Sequence, residues 1–381
     1  MEYTINKQVF EKRIEKCNQL MINEDLDLLL LTKPSNMYFL TGDGRLCAYT
    51  MITVDGQVAL GVPETDKDDV RELARFDHLA TFRDEIGMIH SIANFFKQFE
   101  ISKGTVGMEY TFLTKSMLGM MTHPHAKPDM VTVKDCTNIL SQMRMIKEPI
   151  EIKLMQEAAK IADIGMEAAI ASIKAGITES QIAGEGEYAM RQAGAEGFWR
   201  SYVASGIRTR IAHGIPTNYR VQVGDIIMID FHPIVNNYSS DICRMACVGK
   251  PSTQQLKAYE VYLEALKITI AKAITGIGMV ELEKTLHGVI QDAGYGNNIF
   301  GPPIHGIGIN FEEAPLPPGH AFFHGEKAPP PLVKNIPIAI GNCGIYTKTW
   351  GVRIEDTVVV GKDKPLTLTS YPYDLEKVTE L

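Results

Sequence analysis

The chain has 381 residues, 45% of them hydrophobic and 22% charged, and a formal net charge of -8. That length allows two or three domains with a large core, and an acidic balance without a basic run excludes the electrostatic footprint of a nucleic-acid or anionic-membrane binder. No apolar stretch reaches the roughly 18 to 20 residues that cross a bilayer, the start carries no signal-type regions, and six scattered cysteines form no C-x-x-C pair, so a cytoplasmic protein with reduced thiols is expected.

In chain order, Leu28 to Leu31 reads as a buried strand, Lys33-Pro34-Ser35-Asn36 as a turn, and Ala48 to Val54 and Val58 to Val62 as further strands, with helices between and after them. This predicts an α/β domain over residues 1–140. It has no glycine-rich phosphate loop and no clustered histidine or cysteine, so it reads as a scaffold. A second domain is predicted over 148–381. Ile150, Leu154, Ala158, Ile161 and Gly165 recur at helical spacing until Gly176, and Thr178 with Gln181 forms a capping box for the next helix. About one hundred residues later the pattern returns, with Ile170, Ala171, Gly176, Ile177, Ala193 and Gly194 matched by Ile270, Ala271, Gly276, Ile277, Ala293 and Gly294. Each unit then passes a histidine, His213 or His305, and enters an extended region bearing polar groups. The repeat predicts two pseudo-symmetric half-domains with a site between them.

Ile226 to Phe231 is an apolar strand carrying one acid, Asp230, and Asn236-Asn237 marks a hairpin turn before a strand that includes Asp241. A two-residue turn sets Asp230 opposite Cys243 and Asp241 opposite His232. The two aspartates are then diagonal neighbours on one face, about 7 to 8 Å apart at Cα. Carboxylates in so apolar a setting require a cation, hydrogen bonds or protonation. The second half adds His305, flanked by glycines that permit close backbone approach, and a strand on which Arg353 and Glu355 share a face. Oxygen ligands with one imidazole suit manganese, iron, cobalt or zinc.

The strings GDIIMIDF, NNYSSDICR, HGIGINFEEAP, CGIY and GVRIEDTVVV resemble the creatinase, prolidase and methionine aminopeptidase (pita-bread) family over residues 148–365. DLDLLLLTKPSNMYFLTG resembles the smaller domain preceding it in prolidases and creatinases, and the layout is that of Xaa-Pro dipeptidases. The resemblance implies an α/β N-terminal domain and an α+β pita-bread domain with internal pseudo-two-fold symmetry. It also implies a homodimer and five ligands for one or two divalent cations, at Asp230, Asp241, His305, Asn342 and Glu355. Two positions depart from the pattern. Asn342 stands where the metal-dependent members carry a glutamate, and Glu312 where the peptidases carry a histidine.

An amide oxygen can coordinate but cannot serve as a general base at neutral pH. Three carboxylates also leave two divalent ions one positive charge in excess. The resemblance assigns catalysis to His213, Glu312 and Glu355, and substrate contact to His213, Glu312 and Arg353; His213 lies 17 residues before Asp230. The expected reaction is metal-assisted hydrolysis of an amide or imide bond in a small peptide. Two alternatives stand beside it: a creatinase-like C–N hydrolase or lyase acting on a small cationic or zwitterionic substrate, which Glu312 would recognise, and a catalytically silent binding protein.

Overall fold

The computed structural model describes residues 5–323 and 329–375, so the extreme ends of both predicted domains lie outside the described residues. The chain separates into two compact units, up to Arg144 and from Met145 onward.

The first unit contains strands β1 (Leu28–Leu31), β2 (Tyr49–Thr53), β3 (Val58–Pro63), β4 (His78–Phe82), β5 (Lys103–Met108) and β6 (Met130–Asp135), and helices α1 (Lys7–Asn23), α2 (Pro34–Thr41), α3 (Lys67–Leu73), α4 (Glu85–Gln98), α5 (Lys115–Met121) and α6 (Thr137–Met145). They form a mixed sheet in the order β4-β3-β2-β1-β5-β6. All four leucines of β1 are buried, as expected for a central strand covered on both faces. Lys33 to Asn36 is not the predicted turn, because Pro34 opens α2. Proline presets the φ of a first helical residue, and Gly42 closes the helix at φ 85°. The donors at this helix start are met by a distant residue, Glu109, whose carboxylate accepts from the Thr32 and Lys33 backbone N–H groups at 2.8 and 2.9 Å.

The second unit opens with α7 (Pro149–Ser172) and α8 (Glu179–Gln192), followed by β7 (Gly197–Ser205), β8 (Ile226–Val235), β9 (Tyr238–Ser239) and β10 (Ile242–Cys247). Then come α9 (Thr253–Ala271), α10 (Met279–Ile290), β11 (Ile299–Phe300), β12 (Ile304–Gly306), β13 (Pro337–Ile340), β14 (Gly344–Tyr346), β15 (Gly351–Val352), β16 (Glu355–Val359) and β17 (Leu366–Thr367). Thr178 and Gln181 make the reciprocal capping box that starts α8. The repeat is visible in backbone conformation. Gly176 and Gly276 take φ 85° and 99° before the second helix of each pair, and Gly194 and Gly294 take 106° and 91° after it.

The main sheet runs β12-β13-β16-β10-β8-β7, so the first half contributes β7, β8 and β10, the second contributes β12, β13 and β16, and the halves meet at the antiparallel β10–β16 pair. This is the pita-bread architecture with its pseudo-two-fold. On β8, Ile227, Ile229 and Phe231 pack with α7 and α8, while Ile226 and Met228 join the core beneath α9 and α10. The alternation therefore carries Asp230 and His232 onto the same face as Ile226 and Met228.

Candidate metal centre

The β8–β10 hairpin turns at Asn236 and Asn237, both left-handed (φ 46° and 65°), and its register pairs Asp230 with Cys243 and Ile234 with Ser239. Asparagine tolerates that conformation, and a two-residue turn of this type matches the twist of the strands. Tyr202 on β7 pairs with Asp230, and Glu355 on β16 pairs with Cys243. One row across four strands thus reads Tyr202, Asp230, Cys243, Glu355. Asp241 stands just before β10, its backbone fixed by Thr357, whose hydroxyl accepts from the Asp241 N–H and donates to its carbonyl, both at 2.9 Å. His305 enters from β12. A Cβ on Gly306 would lie 2.4 Å from the Glu313 carbonyl oxygen, so only glycine lets the chain after His305 pass this loop.

Two trios of buried donors result. Nε2 of His232 lies 3.0 Å from Asp230 Oδ1 and 3.3 Å from Asp241 Oδ1, while Nε2 of His305 lies 3.5 Å from Asp241 Oδ2 and 3.8 Å from Glu355 Oε1. Asp241 is shared, one oxygen to each trio. All five residues are fully buried, and the six atoms Asp230 Oδ1, His232 Nε2, Asp241 Oδ1 and Oδ2, His305 Nε2 and Glu355 Oε1 make no hydrogen bond. A buried polar atom left unpaired costs about 1 to 3 kcal/mol; a divalent cation at each trio would satisfy all six, so the residues fit such ions.

The remaining carboxylate oxygens are occupied. Nη2 of Arg353 donates to Asp230 Oδ2 and to Glu355 Oε2, each at 2.7 Å, and Nη1 donates to the Ala212 carbonyl at 3.3 Å. At 1% exposure the guanidinium holds the two carboxylates in place and is closed to solvent. Behind it, buried Arg244 donates to the carbonyls of Cys243 and Glu355 and to Asp356, fixing the strand that carries Glu355. With neutral imidazoles, three carboxylates and Arg353 leave a net charge of -2, which one divalent ion balances. Cys243, between Asp230 and Glu355, is kept a neutral thiol, because burial and then Asp230 push it well above its ordinary value.

The electrostatics without metal fit a site that awaits positive charge. Burial, then Asp241, raises Glu355 to about 8. Burial opposes a charge on His305, yet Asp241 and Glu355 lift it to about 9, and in the same way Asp230 and Asp241 carry His232 well above the ordinary value. Burial works against Asp241 too, but His232 and His305 hold it below the usual carboxylate range.

The other residues singled out from the sequence lie around these trios. Asn342 follows β13 and its backbone N–H donates to the Pro303 carbonyl at 3.1 Å; among the described residues no hydrogen bond ties its side-chain amide to the six donors. Glu312 is partly buried, and its charge is felt by both His305 and His213. His213 is exposed in area, its ring 5.3 Å from that of Tyr202; partial burial and then Arg353 lower its pKa, so it is neutral at neutral pH. A wall absent from the sequence reading is Phe311, whose ring lies 4.5 Å from His232, 5.2 Å from His305 and 5.7 Å from Trp199, on which it stacks. Its loop is pinned by the buried Lys147–Glu313 ion pair at 2.6 Å.

Residues 153–362 match the model of metallopeptidase family M24, and residues 13–146 match the creatinase/prolidase N-terminal domain. The chain belongs to metallopeptidase family M24. It is 30% identical to an Xaa-Pro dipeptidase of Pyrococcus furiosus across 96% of this chain and 99% of that one. Among solved structures, the prolidase of Pyrococcus horikoshii superposes with a TM-score of 0.84 at 29% identity, covering 96% of this chain and 99% of that one. An Xaa-Pro dipeptidase from Bacillus anthracis gives 0.86 at 25% identity with the same coverages. M24 membership and the two trios agree on a divalent-metal site. His232 is the member of those trios that the motif reading missed.

Proposed function

We propose that this chain, a metal-dependent peptidase of family M24, hydrolyses the imide bond of Xaa-Pro dipeptides with manganese, cobalt, zinc or iron, as a cytoplasmic homodimer. The observation that carries the reading is the pair of buried donor trios joined through Asp241; the full-length relatives named as Xaa-Pro dipeptidases support the substrate class. The creatinase-like and binding-protein alternatives are not favoured by these relatives.

When bound, the divalent cations would supply Lewis-acid activation of water and of the scissile carbonyl. Asp230, Asp241, His305 and Glu355 would hold them, with Asn342 available through its amide oxygen. Asn342 cannot accept a proton at neutral pH, so Glu355 Oε1, unpaired within the protein, would have both to hold the cation and to take the proton. Neutral His213 donates a hydrogen bond to the substrate, Glu312 faces its ammonium or cationic side chain, and Arg353 keeps the two carboxylates aligned. Phe311, stacked on Trp199, lies against the His232 and His305 rings and forms one wall.

The test is an assay of chelator-stripped and metal-reloaded protein on Met-Pro and Leu-Pro against Leu-Leu. Cleavage of the proline substrates that returns with metal supports the reading; preference for Leu-Leu, or no turnover with any of the four metals, removes it.

A further inference from the structure

Two residues beyond Asp230, His232 projects from the same face of β8, and its ring is fixed at Nδ1. A bulge in β7 between Phe198 and Ser201 takes the Arg200 carbonyl off the ladder, and this oxygen lies 2.7 Å from His232 Nδ1. A carbonyl only accepts, so Nδ1 carries the hydrogen, and in the neutral ring Nε2 presents a lone pair. That nitrogen is fully buried and faces Asp230 Oδ1 and Asp241 Oδ1, yet neither oxygen completes an aligned hydrogen bond with it. Phe311 packs edge-to-face against the ring, with centroids 4.5 Å apart.

We infer that His232 Nε2 is a metal ligand, forming with Asp230 Oδ1 and Asp241 Oδ1 a cation site that shares Asp241 with the Asp241–His305–Glu355 site. The inference rests on the metal-dependent reading above. Atoms held about 2.0 to 2.2 Å from one ion are about 3.0 to 3.6 Å apart along the edges of its coordination shell. The 3.0 and 3.3 Å separations of the His232 trio fall in that interval. The Arg200 carbonyl acts as the outer partner that sets tautomer and ring orientation. The consequence is a pair of sites with one imidazole each, in a chain whose position 342 offers an amide in place of a carboxylate. Nitrogen at both sites favours cobalt or zinc over manganese.

The test is calorimetric titration of Co2+ into chelator-stripped protein, with X-ray absorption of the loaded form. Two cobalt ions per chain and an average of one imidazole per cobalt are expected. His232→Gln should lower the affinity of one site at least about 100-fold while the metal-free variant keeps the wild-type circular dichroism spectrum. His305→Gln should lose the other site. Unchanged stoichiometry and affinity in His232→Gln, or a wild-type spectrum with one imidazole for two cobalt ions, would overturn the inference and leave the metal-dependent reading intact. No cobalt binding by the wild type would remove both. If His232→Gln does not fold, the imidazole count in the wild type decides alone.

Discussion

Glu109 in the N-terminal unit and Glu355 in the M24 unit are both buried glutamates, with opposite meanings. Glu109, at 1% exposure, accepts from the Thr32 and Lys33 N–H groups and from the Asn36 amide at 2.5 Å, so every donor aimed at it has a structural purpose. Glu355 shares one oxygen with Arg353 and leaves the other unpaired beside Asp241, itself without a hydrogen bond on either oxygen. Burial raises both glutamates; hydrogen bonds from Asn36, Thr32 and Lys33 pull Glu109 back, whereas at Glu355 the pull of Arg353 and His305 is opposed by Asp241 and Asp230. Carboxylate burial therefore does not mark a metal site; unpaired lone pairs converging from several strands do.

The largest expected effect separates the two regions outright. Asp241→Ala removes the ligand common to both trios and should abolish tight divalent binding by calorimetry. Glu109→Ala should leave metal titrations unchanged and destabilise the protein by about 2 to 3 kcal/mol through the stranded N–H groups. Retained stoichiometry in Asp241→Ala would erase the distinction.

Next in size is the pH dependence of the metal-free protein. His305, raised from 6.5 to about 9, and Glu355, also raised, bind protons more tightly folded than unfolded. Their contribution is therefore present at low pH and lost as pH climbs through the folded values. Urea unfolding of stripped protein should show about 1 to 3 kcal/mol lost between pH 6.5 and 9. Asp241, held low, acts in the opposite sense only in the acid range. Divalent metal should cancel the alkaline loss, since it replaces the protons. A flat profile without metal would mean that the unpaired atoms are satisfied otherwise.

Asn342→Glu restores a carboxylate near the trios and should raise the affinity for the weaker cation about tenfold, by charge alone. Unaltered titration with an intact fold would place residue 342 outside the ligand sphere. The smallest effect is expected for Glu312→Gln, which should lower kcat/KM for Lys-Pro relative to Leu-Pro about three- to tenfold; an unchanged ratio would make Glu312 a mere loop residue.

Much of this was legible because strand parity and turn chemistry are local. Alternation along Ile226 to Phe231 with an Asn-Asn turn was enough to place Asp230 opposite Cys243, as the structure has it. The same register sets His232 opposite Asp241 and two residues from Asp230, but no family motif and no ligand spacing marks that histidine. The helix at Pro34 was read as a turn because the residue that satisfies its start, Glu109, is 77 positions from Thr32. The Phe311 wall, likewise, depends on a buried ion pair between Lys147 and Glu313, 166 residues apart. Contacts of that range leave no period or spacing in the sequence.

The two-asparagine turn also constrains how this lineage can change. Side chains alternate along β8 and β10, so inserting or deleting a single residue between Asp230 and Asp241 would send one aspartate to the face occupied by Ile229 and Phe231. Length variants of this hairpin that keep the site should therefore differ by even numbers, or carry a compensating bulge. The segment from Ile211 to Asp225, between the short helical turn after β7 and the start of β8, has no such parity; it is held instead by point contacts, the Ala212 carbonyl accepting from Arg353 and Thr217 bonding to Glu179. Tandem one-residue scanning of the hairpin, scored for cobalt binding, would read this rule directly as alternating loss and recovery.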